Sequence, residues 1–328
     1  MKAVRVRPEE AETVRKRLLS VGALDRSRKI VKNNGVIEIP ITDLDIDLEL
    51  VEQEKPEFYI PKKTLGSLLN IPEHEKKILP SGWQILGDVI IVTLHEELEP
   101  RKYDVAKALL SMYQGCRTVL LDRGIHGKMR QPMREILEGH KTETIHRENG
   151  CQFRLDAMQI MYSQGNLAER KRMSRLGKGE KVVDMFAGIG YFSIPMAVHS
   201  KPLKIYAIEI NPVSFGYLKE NIRLNRVENI IEPVEGDCAL VSPRGIADRV
   251  IMGYFDAFQY LEKGIHALVI GGILHYHEAV PEAVEQRPGE RIFEAAGKLG
   301  RKVEIIEVRR IKKYSPGVWH VVVDARMF

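Results

Sequence analysis

The chain has 328 residues, of which 44% are hydrophobic and 29% charged. That length suits two or three cores rather than one, and no apolar run approaches a membrane span, so a membrane protein is not expected. The net charge of +5 leaves two readings open, a solvated basic surface or an anionic partner such as nucleic acid.

The N-terminal MKAVRVRPEE has no apolar signal core. Residues 8–19 predict an amphipathic helix with Ala11, Val14, Leu18 and Leu19 on one face, and residues 36–41 a short strand. Asp43, Asp45, Asp47, Glu49 and Glu52 read as a solvated acidic linker. A small α/β domain is expected over residues 1–55. A second domain, α+β and RNA-binding, is expected over 56–160. Within it Gly87-Asp88 turns into the strand Val-Ile-Ile-Val, residues 102–112 are helical and 118–121 form a strand. Cys116, Cys151 and Cys238 are an odd set without a Cys-x-x-Cys pair. They argue against structural zinc and suit a reducing, cytoplasmic setting.

From residue 161 to 328 strand and helix alternate. Strands fall near 182–185, 204–209, 230–234, 248–252, 267–274, 303–309 and 318–325, with helical patterns between the first five. This is α/β, a doubly wound and mostly parallel seven-stranded, Rossmann-like sheet. The last two strands are expected to form an antiparallel hairpin through Ser315-Pro316-Gly317. Such sheets are common in S-adenosylmethionine-dependent transferases, a fold-level analogy.

The first of these strands ends in Asp184 and turns through Gly188 and Gly190 into a helix. This spacing is neither the dinucleotide fingerprint nor the phosphate loop. Without a lysine or arginine the loop is a poor host for polyphosphate. Its glycines admit close backbone approach, and a helix start offers free N–H groups to a carboxylate. Glu209, 25 residues on, ends the next strand and can accept both ribose hydroxyls. Asp237 follows the third strand and can accept an adenine amino group, with the Cys238 backbone beside the ring. The set points to S-adenosylmethionine as co-substrate, with no metal; a cap that orients the glycine loop is the second reading of Asp184.

Ahead of the sheet stands Tyr162-Ser163-Gln164-Gly165-Asn166-Leu167-Ala168-Glu169-Arg170. Ser163 and Arg170 are expected to clamp a carboxylate, and Glu169 to act as a general base. The alternative is a capped basic helix with an internal ion pair.

This run resembles the Phe-Ser-x-Gly-Asn-x-x-Glu-Lys/Arg signature of the tRNA wybutosine-synthesising aminocarboxypropyltransferases, archaeal type. These are relatives of the tRNA guanine-N1 methyltransferases that act beside the anticodon. Those methyltransferases carry Asn-Pro-Arg or Ser-Pro-Arg where this chain has Gln164-Gly165-Asn166. The likeness continues through residues 144–150, 184–190, 208–211, 274–276 and 314–317, and the N-terminal unit is similar to the methyltransferases' small first domain. Nitrogen methyltransferases often place an Asn-Pro-Pro-Tyr element after the fourth strand. Here the run is Ile251-Met252-Gly253-Tyr254-Phe255, with no amide acceptor and no proline, and Gly253 is placed among the cofactor contacts. The resemblance implies transfer of the 3-amino-3-carboxypropyl group of S-adenosylmethionine to C7 of 4-demethylwyosine, 3′ of the anticodon in tRNA-Phe. Glu169 matches the acid of the signature; orienting Arg170 or the target ring is its other reading. A tRNA methyltransferase is the alternative activity, and a non-catalytic RNA-binding module or a small-molecule methyltransferase are further rivals.

Three basic stretches are candidate RNA contacts. The first is a glycine-broken run with Arg123, Lys128, Arg130 and Arg134. The second, Lys171, Arg172, Arg175, Lys178 and Lys181, is placed beside the cofactor entrance. The third is Arg309, Arg310, Lys312 and Lys313, with Tyr314 available to stack. His275 and His277 share a strand face, but no third or fourth ligand is spaced to complete a metal site. A monomer is expected.

Overall fold

The structure, a computed structural model, describes residues 1–42, 47–59, 63–127 and 129–328. It divides into two units, Met1–Thr64 and Leu65–Phe328. In the first unit β1 (Lys2–Val6), β2 (Val31–Asn33), β3 (Val36–Pro40) and β4 (Leu50–Glu52) form a sheet in the order β2-β3-β1-β4. The helix α1 (Ala11–Ser20) packs Leu18 against Val4 and Ile39. It starts later than its apolar pattern, because Pro8 opens a turn in which Ala11 N–H donates to the Pro8 carbonyl. Arg28 is the buried polar hub, bonded to Asp25, Gln53 and the carbonyls of Lys2 and Ile41. The acidic stretch is not all linker. Glu52 pairs with Lys2 across β4 and β1, since a backbone that satisfies a sheet edge is worth more than a solvated one. Asp43 and Asp45 lie outside the described residues.

The second unit begins with α2 (Leu65–Leu68) and α3 (Glu73–Lys77), then β5 (Gln84–Leu86) and β6 (Val89–Val92). Gly87 turns between these strands at φ 54°, and a Cβ there would meet Thr144. α4 (Lys102–Met112) leads to β7 (Thr118–His126) and β8 (Gln131–Glu138), giving a sheet β5-β6-β7-β8. The basic run expected as a loop is thus the end of a long antiparallel hairpin, turning near Gly127 and Arg130, both at positive φ. The antiparallel pair β9 (Glu143–Glu148) and β10 (Cys151–Asp156) follows.

The largest sheet is preceded by α5 (Leu167–Met173). Its strands are β11 (Lys181–Asp184), β12 (Lys204–Glu209), β13 (Ile231–Glu235), β14 (Ala247–Met252), β15 (Leu268–Pro281), β16 (Val303–Ser315) and β17 (Val318–Met327), in the order β13-β12-β11-β14-β15-β17-β16. The first five run parallel and the last two close the sheet antiparallel. The seven strands and the terminal hairpin are as expected. Between the strands lie α6 (Ser193–His199), α7 (Pro212–Leu224), α8 (Cys238–Val241), α9 (Leu261–Ala267) and α10 (Arg287–Lys298). α10 was not expected, although Ile292, Ala295 and Ala296 mark its buried face at helical spacing. Asn221 on α7 and Asn225 at its C-terminal cap accept from the N–H groups of Arg154 and Gln152, so amide side chains finish the edge of β10. Among the described residues no helix is long and apolar enough to cross a membrane.

Candidate functional site

The C-terminal ends of β11, β12, β13 and β14 open into a cavity of about 520 Å³. Its wall takes in Gly188, Glu209, Asp237, Cys238 and Gly253 from the strand ends and Ser163, Asn166 and Arg170 from the segment before the sheet. Arg130 on the β7–β8 hairpin and Lys312, Lys313 and Tyr314 on β16 complete it. This is where open α/β sheets bind ligands.

The strand ends are held by backbone donors. Glu209 Oε2 accepts from Gly188 N–H at 2.7 Å and Oε1 from Asn211 N–H at 2.7 Å. Burial raises its pKa, opposed by the N–H groups of Asn211 and Gly188. Each oxygen keeps a lone pair, so the carboxylate can accept two vicinal hydroxyls. Asn211 in turn caps α7 ahead of Pro212. Asp237 caps α8 through Ala239 N–H with one oxygen, leaving the other for an amino group. Burial, with help from Asp237, pushes the Cys238 thiol up to about 12, so it lines the wall as an unreactive group.

Asp184 and Gly190 are not on the wall. Asp184 is fully buried, accepts from Ser193 Oγ at 2.6 Å and from Phe186 N–H, and burial raises its pKa to about 6. Of the two readings, the loop staple is the one that the geometry gives. Gly190, at φ 100°, has no room for a Cβ beside Ile194 and Leu218, so it serves close packing of the loop.

The segment before the sheet departs most from expectation. Arg170 lines the cavity, but its guanidinium already grips Glu148 at 2.6 and 2.5 Å and the Ser163 carbonyl at 2.7 Å. Burial, the largest influence, raises the Glu148 carboxyl, yet bonds from His146 and Arg170 hold it at about 2. Arg170 therefore meets the cavity as one half of an ion pair with Glu148, on the same wall as Ser163. Glu169 is 2% exposed and off the wall. It accepts from Arg172 at 2.6 Å, with Arg309 at 3.8 Å. The helix aims Glu169 into the protein, where it orients Arg172. The cation that reaches the cavity beside Ser163 is Lys312, whose Nζ donates to Ser163 Oγ at 2.7 Å.

The basic candidates separate by what they already hold. Arg130 and Lys313 line the cavity; Arg130 lies 5.5 Å over the Phe255 ring, and Tyr314 meets that ring edge-on at 5.2 Å. Arg134 is buried against the carbonyls of Ala157 and Ile160 and beside Asp122, and burial lowers its pKa. It cannot meet a phosphate there. Arg123 is exposed but shared between Glu99 and Glu135, both at 2.6 Å. Lys128 lies outside the described residues. Lys181 opens β11 and so stands at the far end of the sheet, not beside the entrance, because the cavity is at the strands' C-terminal ends. His275 bonds Asp324, and His277 bonds His320 at 3.1 Å. Among the described residues no group of three metal-ligand side chains converges.

Sequence reasoning missed the aromatic wall of Phe186, Tyr191, Phe192 and Phe255. Phe186 stacks near Tyr254 at 5.3 Å, Phe192 packs on His277, and Phe255 on His320. Phe186, Tyr191 and Phe192 were visible as aromatics in and after the glycine loop, but nothing in their spacing separated wall from core.

Residues 144–306 match the TRM5/TYW2 methyltransferase domain, 65–142 the TYW2 N-terminal domain and 3–49 the tRNA methyltransferase 5 N-terminal domain. A Methanocaldococcus jannaschii protein named tRNA(Phe) (4-demethylwyosine(37)-C(7)) aminocarboxypropyltransferase is 48% identical over 248 residues, 74% of this chain and 97% of that one. The solved structure of Pyrococcus horikoshii TYW2 in complex with MeSAdo superposes with a TM-score of 0.71 at 40% identity, covering 79% of this chain and 95% of that one. The structure of Trm5b from Pyrococcus abyssi has a TM-score of 0.80 at 34% identity, covering 100% and 99%. The chain belongs to the TRM5/TYW2 family.

Proposed function

We propose that this protein transfers the 3-amino-3-carboxypropyl group of S-adenosylmethionine to C7 of 4-demethylwyosine, 3′ of the anticodon in tRNA-Phe. The observation that carries the reading is the end of β14. There Gly253 and Phe255 line the cavity, in the place where an amide acceptor for a ring nitrogen is expected in the methyltransferases. A flat aromatic wall suits the stacking of an unstacked base. The relatives support it, one by its name and one by its complex with MeSAdo, the fragment left when the arm departs from S-adenosylmethionine.

The cavity volume lies within the roughly 300–1,000 Å³ usual for ligand sites. Glu209 holds the ribose hydroxyls and Asp237 the adenine amino group. Gly188 and Gly253 leave room for the aromatic wall, since a Cβ at either would strike Tyr191 or Phe192. Bound S-adenosylmethionine supplies a sulfonium with three electrophilic carbons, and geometry selects among them. The C7 electron pair forms the new bond to the arm's γ-carbon. The γ-carbon–sulfur pair returns to sulfur, giving methylthioadenosine, and the C7 proton leaves to solvent. Arg130, Phe255 and Tyr314 receive the unstacked base, and Lys313 meets backbone phosphate. A monomer is the expected acting unit, and the cytoplasm its expected place of action.

The test uses tRNA carrying 4-demethylwyosine and cofactor labelled separately in the methyl and carboxyl positions. Carboxyl label is expected in the RNA, and methyl label alone would overturn the reading. Guanine-N1 methylation is the second reading, favoured by the whole-chain likeness to Trm5b and by the match at residues 3–49. The same assay, run with unmodified tRNA, decides it.

A further inference from the structure

The side chain of Lys312 crosses Gly165 to reach Ser163. A Cβ at residue 165 would stand 2.6 Å from Lys312 Cδ and 2.8 Å from Nζ. Gly165 does not have the positive φ that by itself calls for glycine, so what it provides is a lane for the lysine. At the end of that lane the ammonium is half-buried on the cavity wall, bonded to Ser163 Oγ, and paired with no carboxylate among the described residues. Burial and the nearby charges of Arg170 and Arg130 lower its pKa. Holding an unpaired cation in such a place is costly, and an anion arriving there relieves the cost. Asn166 lines the same cavity, and its Oδ1 is buried without a hydrogen-bond partner. An ammonium donor and an amide acceptor on one cavity wall are complementary to a zwitterionic amino acid end.

We propose that Lys312, threaded across Gly165 onto Ser163, fixes the carboxylate of the cofactor's methionine arm and thereby presents that arm, rather than the methyl, to the acceptor base. This rests on the functional reading above. It also gives a physical sense to the glycine of the signature.

The test compares the binding of S-adenosylmethionine and of methylthioadenosine, which lacks the arm, by calorimetry. In Lys312→Met, S-adenosylmethionine affinity is expected to fall about ten- to a hundredfold, the loss of a charge-assisted hydrogen bond, while methylthioadenosine binds as before. Gly165→Ala is expected to produce a similar selective loss by displacing the lysine, with little further loss in the double variant. Equal effects on both ligands, or none, would overturn the assignment. If the wild-type labelling assay gave methyl transfer, the functional reading would fall, while calorimetry still decided the lysine contact.

Discussion

At the Glu209–Asp237 end of the cavity the acids are set by backbone N–H donors from the loops that they organise. At the Phe255–Tyr314 end the side chains lean on one another, Arg130 over Phe255 and Tyr314 against its edge. The first end is half-buried and preorganised; at the second, Met129 and Tyr314 are both 51% exposed. A small co-substrate is recognised through fixed lone pairs. A macromolecular one needs open rings and charges that can adjust as a base is unstacked.

The comparison is broken most directly at Glu209. Glu209→Ala is expected to weaken S-adenosylmethionine by about 1–3 kcal/mol, with tRNA affinity unchanged; equal cofactor affinity in titration would remove the ribose assignment. A smaller effect is expected at the open end. Arg130→Ala should lower tRNA affinity more at low salt than at high, reducing the log–log salt slope by about one, and leave the cofactor untouched. A loss independent of salt would take Arg130 off the phosphate contacts. The smallest effect is expected behind the wall. Glu169→Gln should change the transfer rate only a few-fold, since a general base is worth about 10²–10⁴. A fall of that size would give Glu169 the catalytic role.

Much of the closed end was readable along the chain. Glu209, Asp237 and Gly188 are local features, each placed by the end of a strand whose apolar run is plain, and the hairpin of β16 and β17 is marked by Pro316-Gly317. The open end was read only in part, through Arg130, Lys313 and Tyr314, because contacts remote in sequence build the rest. Lys312 meets Ser163 across 149 positions. Arg170 has the right residue type at the right spacing, yet Glu148 on β9 reaches it first.

The chain's own periodicity determined the doubly wound sheet and the acids at its strand ends, since both follow from local pattern and strand polarity. Only the tertiary structure decided which charges remain available. Neutralisation depends on neighbours brought together by packing. It turns Glu169 and Arg134 inward, pairs Arg170 with Glu148, and leaves Lys312 beside Ser163 without a carboxylate among the described residues.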